Sequence, residues 1–353
     1  MFILYLNLMK KKTTIYDIAK KVGLTAATVS RALNNNPKIS EKTRKLVQET
    51  AQKMNYEQNT LAKALKSGKS YNVGVIVPRM DSNFFASVIR GIEEELYPKG
   101  YHVIVCQTHD QENLETGNIN SLLNAQVDGI LMSISNAKSK SNVFHNIAQK
   151  KVPLIFFDRK KEIPGVSSVT IDDFNGAYQA TKHLIEQGCK RIAHLSNNRS
   201  LEIFKNRYLG YKQAIIDHGL EFDEDLVIET FSKVSEGRKT VKKLLKMKNP
   251  PDAIFSSSDF SALGAIQEIK DQGLSIPKDI SVVGFSNEPF TKFMELSITS
   301  VDQSPIEMGR IAAKVFLKEV DSKTLNKVSE KIVLQPELII RDSSLKVKSE
   351  ASA

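Results

Sequence analysis

Apolar residues fall at Ile15, Ile18, Ala19 and Val22, spaced i, i+3, i+4, i+7, which makes one stripe of a helix. A second helical segment, Ala26–Leu33, turns Val29 and Leu33 inward, and Gly23-Leu24-Thr25 separates the two. Gly23 is suited to the left-handed conformation that ends a helix, and Thr25 is placed to cap the next one. Ala26, Ala27, Ser30, Arg31 and Asn34 are left on the outer face. Small residues lead that face and an arginine follows one turn later, so the helix can lie against base edges in a major groove, the helix-turn-helix pattern. Ser40 is predicted to open a third helix running to about Asn55, with Val47 and Met54 inside. A basic, helix-prone segment, Asn59–Ser70, breaks at Gly68.

From Tyr71 the pattern changes. Short β-rich runs appear at Val73–Val77, His102–Cys106, Gly129–Met132, Pro153–Phe157, Ser168–Ile171, Arg191–Leu195, Ala253–Phe255 and Ile280–Phe285, mostly separated by amphipathic helical stretches. Strands alternating with helices imply parallel sheets covered on both faces. The region is too long for one doubly wound sheet, so two lobes are predicted, with the crossing near Asp158–Ile171. The expected architecture is a small all-α helix-turn-helix domain plus an α/β two-lobed core of doubly wound parallel sheets. The expected boundaries are 9–58 for the helical domain, 59–70 for a hinge and 71–342 for the core. Within the core, lobe 1 is taken as about 71–168 plus 302–328, and lobe 2 as about 169–298 plus 330–342. In such lobes the carboxyl ends of the strands face a cleft, so ligand contacts are expected from the loops that follow strands.

Charge sharpens the picture. The chain carries 50 Lys and Arg against 40 Asp and Glu. Residues 10–70 hold 14 of the basic residues and only four acidic ones, so the whole surplus sits there and the rest is neutral. A surplus confined to one helical domain is the footprint of a phosphate-backbone binder. Two cysteines, Cys106 and Cys189, give no disulfide framework and fit a reducing cytoplasm; both are expected to be buried thiols. No run approaches the apolar length of a membrane span. Residues 1–8 are apolar but precede the lysines, the reverse of a signal peptide, and are read as an extension or mis-assigned start ahead of Met9.

Several segments, in order, carry a resemblance. They are Thr14–Leu33, Ile39–Arg44, Asn55-Tyr56, Asn59–Leu65, Asn83-Phe84-Phe85, Asp128-Gly129-Ile130, Asp158-Arg159, Arg207 with Gly210-Tyr211, Ser258-Asp259, and Ser281–Phe285. From Lys12 to Asp342 the chain resembles the LacI/GalR (lactose/galactose repressor) family of transcriptional regulators, whose effector core is periplasmic-binding-protein-like. The N-terminal motif is specific; the core motifs are individually weak and strong only in their order.

The resemblance implies roles by position. Ala26 and Ala27 match the family's principal base-reading positions, and Arg31 an arginine near base edges and backbone. Thr14, Tyr16, Thr25, Thr28, Ser30 and Asn34 match phosphate-contacting or supporting positions. Asn59, Ala62 and Leu65 match hinge positions, with Leu65 the side chain wedged into the minor groove at the operator centre. Phe84, Phe85, Arg159, Arg207, Phe231 and Asp259 fall where the family lines its effector cleft. A carboxylate and an arginine fork suit sugar hydroxyls, and Asp259, opening a helix after the strand Ala253–Phe255, is expected to aim its carboxylate into the cleft. Core packing is the alternative for Phe84 and Phe85, and a helix cap for Asp259.

Ala26 and Ala27 offer no side-chain hydrogen bonds, so base discrimination there falls to methyl contacts, shape and Arg31. Leu201 and Ile203 replace polar residues found in some relatives. The eleven residues after Asp342 contain no leucine heptad, so a homodimer rather than a tetramer is expected. An enzyme is disfavoured: the six histidines lack metal-ligand spacing and no nucleophile elbow or phosphate-binding glycine loop appears. A sugar-binding transport protein would share the core but has no use for residues 13–66. The expectation is therefore a cytoplasmic, homodimeric regulator. It would bind pseudo-palindromic operator DNA and a small-molecule effector, most readily a carbohydrate, with no cofactor, metal or membrane.

Overall fold

The computed structural model describes residues 13–56, 68–135, 141–321 and 329–346. The chain divides into two compact units, Met1–Ser70 and Tyr71–Ala353. The segment holding Asn59, Ala62 and Leu65 lies outside the described residues, as do residues 1–8.

In the first unit three helices pack together: α1 (Ile15–Val22), α2 (Ala26–Leu33) and α3 (Glu41–Lys53). Local chemistry sets their ends. Thr14 and Asp17 form a reciprocal capping box on α1, Gly23 closes it at φ 68°, and the Thr25 and Ser40 side chains cap α2 and α3. Ile18, Ala19, Val29, Ala32, Val47 and Ala51 form the buried centre. The Thr13 hydroxyl donates to the Met54 carbonyl at 2.8 Å, tying the start of the unit to the end of α3.

The second unit contains two six-stranded sheets. In chain order its first part supplies β1 (Asn72–Val77), α4 (Asn83–Leu96), β2 (His102–Gln107), α5 (Glu112–Asn124), β3 (Gly129–Met132), α6 (Ser141–Gln149), β4 (Leu154–Phe157) and β5 (Ser167–Ile171). The chain continues through α7 (Asp173–Glu186), β6 (Ile192–Ser196), α8 (Glu202–Asp217), β7 (Val227–Glu229), α9 (Val234–Leu244) and β8 (Ala253–Ser256). It then runs through α10 (Asp259–Asp271), β9 (Ser281–Phe285), α11 (Phe290–Phe293), β10 (Thr299–Asp302), α12 (Pro305–Asp321), β11 (Lys331–Leu334) and β12 (Glu337–Ile339).

The sheet orders are β11-β5-β4-β3-β1-β2 and β12-β10-β9-β8-β6-β7. All recorded pairs are parallel except β10 with β12. The central strands β3, β4, β8 and β9 are buried throughout, as continuous apolar runs in a sheet covered on both faces must be. Helix α12 returns to pack on α4 and the first sheet. That crossing requires glycine: a Cβ on Gly91 would stand 2.1 Å from the Ile306 carbonyl oxygen, and one on Gly309 2.1 Å from that of Val88.

The chain passes between the sheets three times, after β5, after β10 and between β11 and β12. This corrects the expected lobe limits. Val169–Ile171 remain in the first sheet, and Lys331–Leu334, expected in lobe 2, pairs in parallel with Ser168–Ile171 of the first sheet. Among the described residues, no helix is long and apolar enough to cross a membrane.

Candidate functional site

The first unit presents a surface built by its caps. Thr14 Oγ1 donates to Asp17 Oδ2 at 2.6 Å, and Thr25 Oγ1 accepts from the Thr28 amide at 3.2 Å and pairs with the Thr28 hydroxyl at 2.9 Å. Asn34 Nδ2 donates to the Ser30 carbonyl at 2.7 Å. These side chains hold the helix ends while staying at the surface. Tyr16 (73% exposed), Ala27 and Arg31 stand out from it. The Arg31 side chain has no hydrogen bond or ion pair among the described residues, so its donors are free for an outside partner. Ala26 keeps part of its surface outside. It is half-buried against the three-helix core, because the first turn of α2 packs beside Leu24 and α1. Ala32, which the pattern did not single out, is fully buried.

In the second unit a cleft of about 380 Å³ opens where the strands of both sheets end. Arg79, Asp110, Ser135 and Arg159 reach it from the first sheet, and Phe231, Ser257, Glu288 and Gln303 from the second. A smaller recess of about 220 Å³, holding Lys160, Lys161, Thr170 and Asn206, shares the wall of Asp158, Arg159, Leu201 and Ile203. Backbone strain gathers here. Asp158, Ser286 and Asn287 adopt φ of 58°, 116° and 49°, conformations that non-glycine residues hold only where surrounding structure fixes them.

Arg207 is the best-held group in the cleft. It is 3% exposed; its Nε donates to Asp173 Oδ1 at 2.7 Å, Nη1 to the Ser257 carbonyl at 3.0 Å and Nη2 to Gln303 Oε1 at 3.2 Å. The guanidinium lies 3.6 Å from the Phe285 ring centroid. Burial raises the Asp173 carboxyl above the ordinary range, and the adjacent Arg207 opposes that rise. Arg159 pairs with Asp110 at 2.6 Å, while its buried Nε has no hydrogen-bond partner.

Phe84 and Phe85 meet edge to face at 5.1 Å, and both belong to the core as well as to the cleft wall. Phe231, 68% exposed, stands at the cleft. Five of the six expected effector residues therefore line one cavity. Asp259 does not. It is fully buried; its Oδ1 accepts from Ser300 Oγ at 2.6 Å and Oδ2 from the Glu288 amide at 2.8 Å, and it packs on Gly284. The expected aim into the cleft is thus corrected: the missing side chain at Gly284 leaves the hole that the carboxylate fills. The capping position of α10 belongs to Ser258, one residue earlier, whose side chain makes no capping bond.

Sequence reasoning passed over Arg79, Asp110, Asp173, Glu288 and Gln303. The rule that cleft contacts follow strands could have found all five, which lie within three residues of the ends of β1, β2, β5, β9 and β10. Among the described residues no cluster of His, Cys, Asp or Glu could hold a metal ion. Cys106 is half-buried rather than buried, and Cys189 is buried; both are free thiols.

A basic helix-turn-helix unit and a two-lobed sheet core with a furnished cleft define a DNA-binding transcriptional regulator with a ligand-binding domain. Residues 14–59 match the family of bacterial regulatory proteins, lacI family, and residues 70–341 match periplasmic binding proteins and sugar binding domain of LacI family. The chain belongs to the LacI family. It is 33% identical over 334 residues to the HTH-type transcriptional regulator DegA of Bacillus subtilis (strain 168), covering 94% of this chain and 98% of that protein. The solved structure of a transcriptional regulator CelR–cellobiose complex aligns with a TM-score of 0.71 at 26% identity, over 94% of this chain and 100% of that one. The lac repressor dimer bound to operator and the anti-inducer ONPF aligns with a TM-score of 0.85 at 23% identity, over 95% and 100%, a likeness of fold.

Proposed function

We propose that the protein is a cytoplasmic, homodimeric repressor whose operator affinity is set by a carbohydrate in the interlobe cleft. It carries out no catalysis. In this reading residues 9–58 bind DNA, 59–70 form the hinge, and 71–342 form the effector core. Ala26, Ala27 and Arg31 face the bases of one half-site, and Thr14, Tyr16, Thr25, Thr28, Ser30 and Asn34 support or contact the backbone. Asn59, Ala62 and Leu65 act at the operator centre. Phe84, Phe85, Arg159, Arg207 and Phe231 take the effector.

The observation that carries the effector reading is the held guanidinium of Arg207 in a cleft walled by Phe84 and Phe85. Fixed donors beside aromatic faces suit a ligand with many hydroxyls on an apolar ring. The cellobiose complex of a relative supports a carbohydrate, as does the sugar-binding description of the matched domain. Because effector and operator occupy different sites, each changes the other's affinity by the same factor through the lobe equilibrium. The test is a thermal-shift screen of mono- and disaccharides and sugar phosphates on the full chain, followed by titration of any hit against a preformed operator complex. A carbohydrate that stabilises the protein and changes operator affinity is expected. A screen in which none does would overturn the carbohydrate reading.

A further inference from the structure

After β9 the chain stays with the second sheet, but the Glu288 side chain reaches across the cleft from the second lobe to the first. It is 5% exposed; its Oε1 accepts from Ser82 Oγ at 3.2 Å, and the backbone amides of Asn83 and Phe84 favour its charged form against the cost of burial. Ser82 is the N-cap residue of α4, yet its side chain makes no capping bond. Glu288 therefore supplies, from the opposite lobe, the acceptor that this helix start lacks. The contact is anchored from below, since the Glu288 amide donates to Asp259 and Asp259 is held by Ser300.

The arginines around the cleft are matched in the same way, while Lys233, exposed at its edge, has no ion pair among the described residues. Arg79 pairs with Asp81 at 2.8 Å, Arg159 with Asp110 at 2.6 Å and Arg207 with Asp173 at 2.7 Å. Each arginine has its own carboxylate, and the positive end of α4 has Glu288. Away from Lys233, a phosphorylated ligand would have to displace one of these acids or lie beside Asp110, Asp158 and Glu288 as a like charge. An uncharged polyol meets no such opposition and can use the remaining donors and acceptors.

We propose that Glu288 is a specificity-determining strap, which joins the two lobes across the cleft and makes it select uncharged polyhydroxyl ligands over phosphorylated ones. The proposal rests on the reading of the cleft as the effector site. Opening the strap exposes the α4 amides and removes one negative charge.

The test compares the full wild-type chain with Glu288→Ala and the isosteric Glu288→Gln, using inorganic phosphate and glucose 6-phosphate as calorimetric probes. The wild type is expected to show no saturable binding. Both variants are expected to gain binding by roughly tenfold or more, the scale of one charge-assisted hydrogen bond. Amide exchange at Asn83 and Phe84 is expected to rise in Glu288→Ala while that at Val75 stays unchanged, which a merely destabilised fold would not produce. Equal phosphate binding in all three proteins, or none in any, would overturn the selection; unchanged exchange at Asn83 and Phe84 would overturn the strap. If Glu288→Ala fails to fold, Glu288→Gln decides the charge question alone. The phosphate comparison needs no sugar hit, so an empty carbohydrate screen refutes the effector reading without deciding this one.

Discussion

Replacing Asp259 with asparagine should change how the stability of the core responds to pH. The Asp259 carboxyl is fully buried, and burial pushes its pKa up from the ordinary 3.8 to about 7, against the pull of Ser300 and the Glu288 amide. A carboxyl with a raised folded-state pKa binds more protons in the native than in the unfolded chain between those two values. Its favourable contribution is therefore complete below about pH 4 and fades as pH rises to about 7. At about 1.4 kcal/mol per pKa unit, the loss between about pH 5 and about pH 8 is about 3 kcal/mol. Asparagine keeps an oxygen for the Glu288 amide and can donate to Ser300 Oγ, but it does not titrate. Urea unfolding of wild type and Asp259→Asn at those two pH values, followed by far-ultraviolet circular dichroism, isolates the residue. The stability difference, variant minus wild type, should grow by about 3 kcal/mol toward high pH. A difference that stays flat, or grows toward low pH, would refute the buried-acid reasoning.

Arg31→Ala should weaken operator binding by about 1–3 kcal/mol while changing random-sequence binding much less; equal losses in competition gels would reduce Arg31 to a phosphate contact. Operator affinity should fall steeply as salt rises, and a 71–353 fragment should retain no DNA binding, since residues 10–70 hold the whole basic surplus. Salt-independent binding in a filter assay would contradict that placement of charge. Gly309→Ala sets a methyl 2.1 Å from the Val88 carbonyl and should cost about 1–3 kcal/mol or more of core stability; an unchanged urea midpoint would mean that α4 and α12 are not locked together.

The helical unit was legible because periodicity and caps agree residue by residue: α1 ends and α2 begins where Gly23 and Thr25 require. The central parallel strands were equally plain as apolar runs. Of the edge strands, β2 was read but the other three were not. β11 alternates between exposed and half-buried positions, and β7 and β12 are only three residues long. β10 reads Thr-Ser-Val-Asp, too polar to look buried, yet Thr299 bonds to Ser343 and Arg341, and Ser300 to Asp259. In the cleft, Arg207 was legible, but its pairing with Asp173 and Gln303 was not, because they come from distant parts of the chain and meet it only in the fold. Asp259 shows the other limit. Its place at the start of a helix after a strand was read correctly, but its direction depends on Gly284 across the sheet.

The three passages between the sheets also govern the order in which the molecule can be completed. Each sheet receives an edge strand from near the end of the chain, β11 for one and β12 for the other. During synthesis from the N-terminus, the basic helical unit emerges first and can fold from local contacts alone. The open edges of β5 and β10, by contrast, stay uncovered until residues 331–339 have left the ribosome. A chain truncated before β11 therefore keeps its helical DNA-facing unit intact while lacking the strands that complete both lobes, so early termination should separate DNA binding from its control.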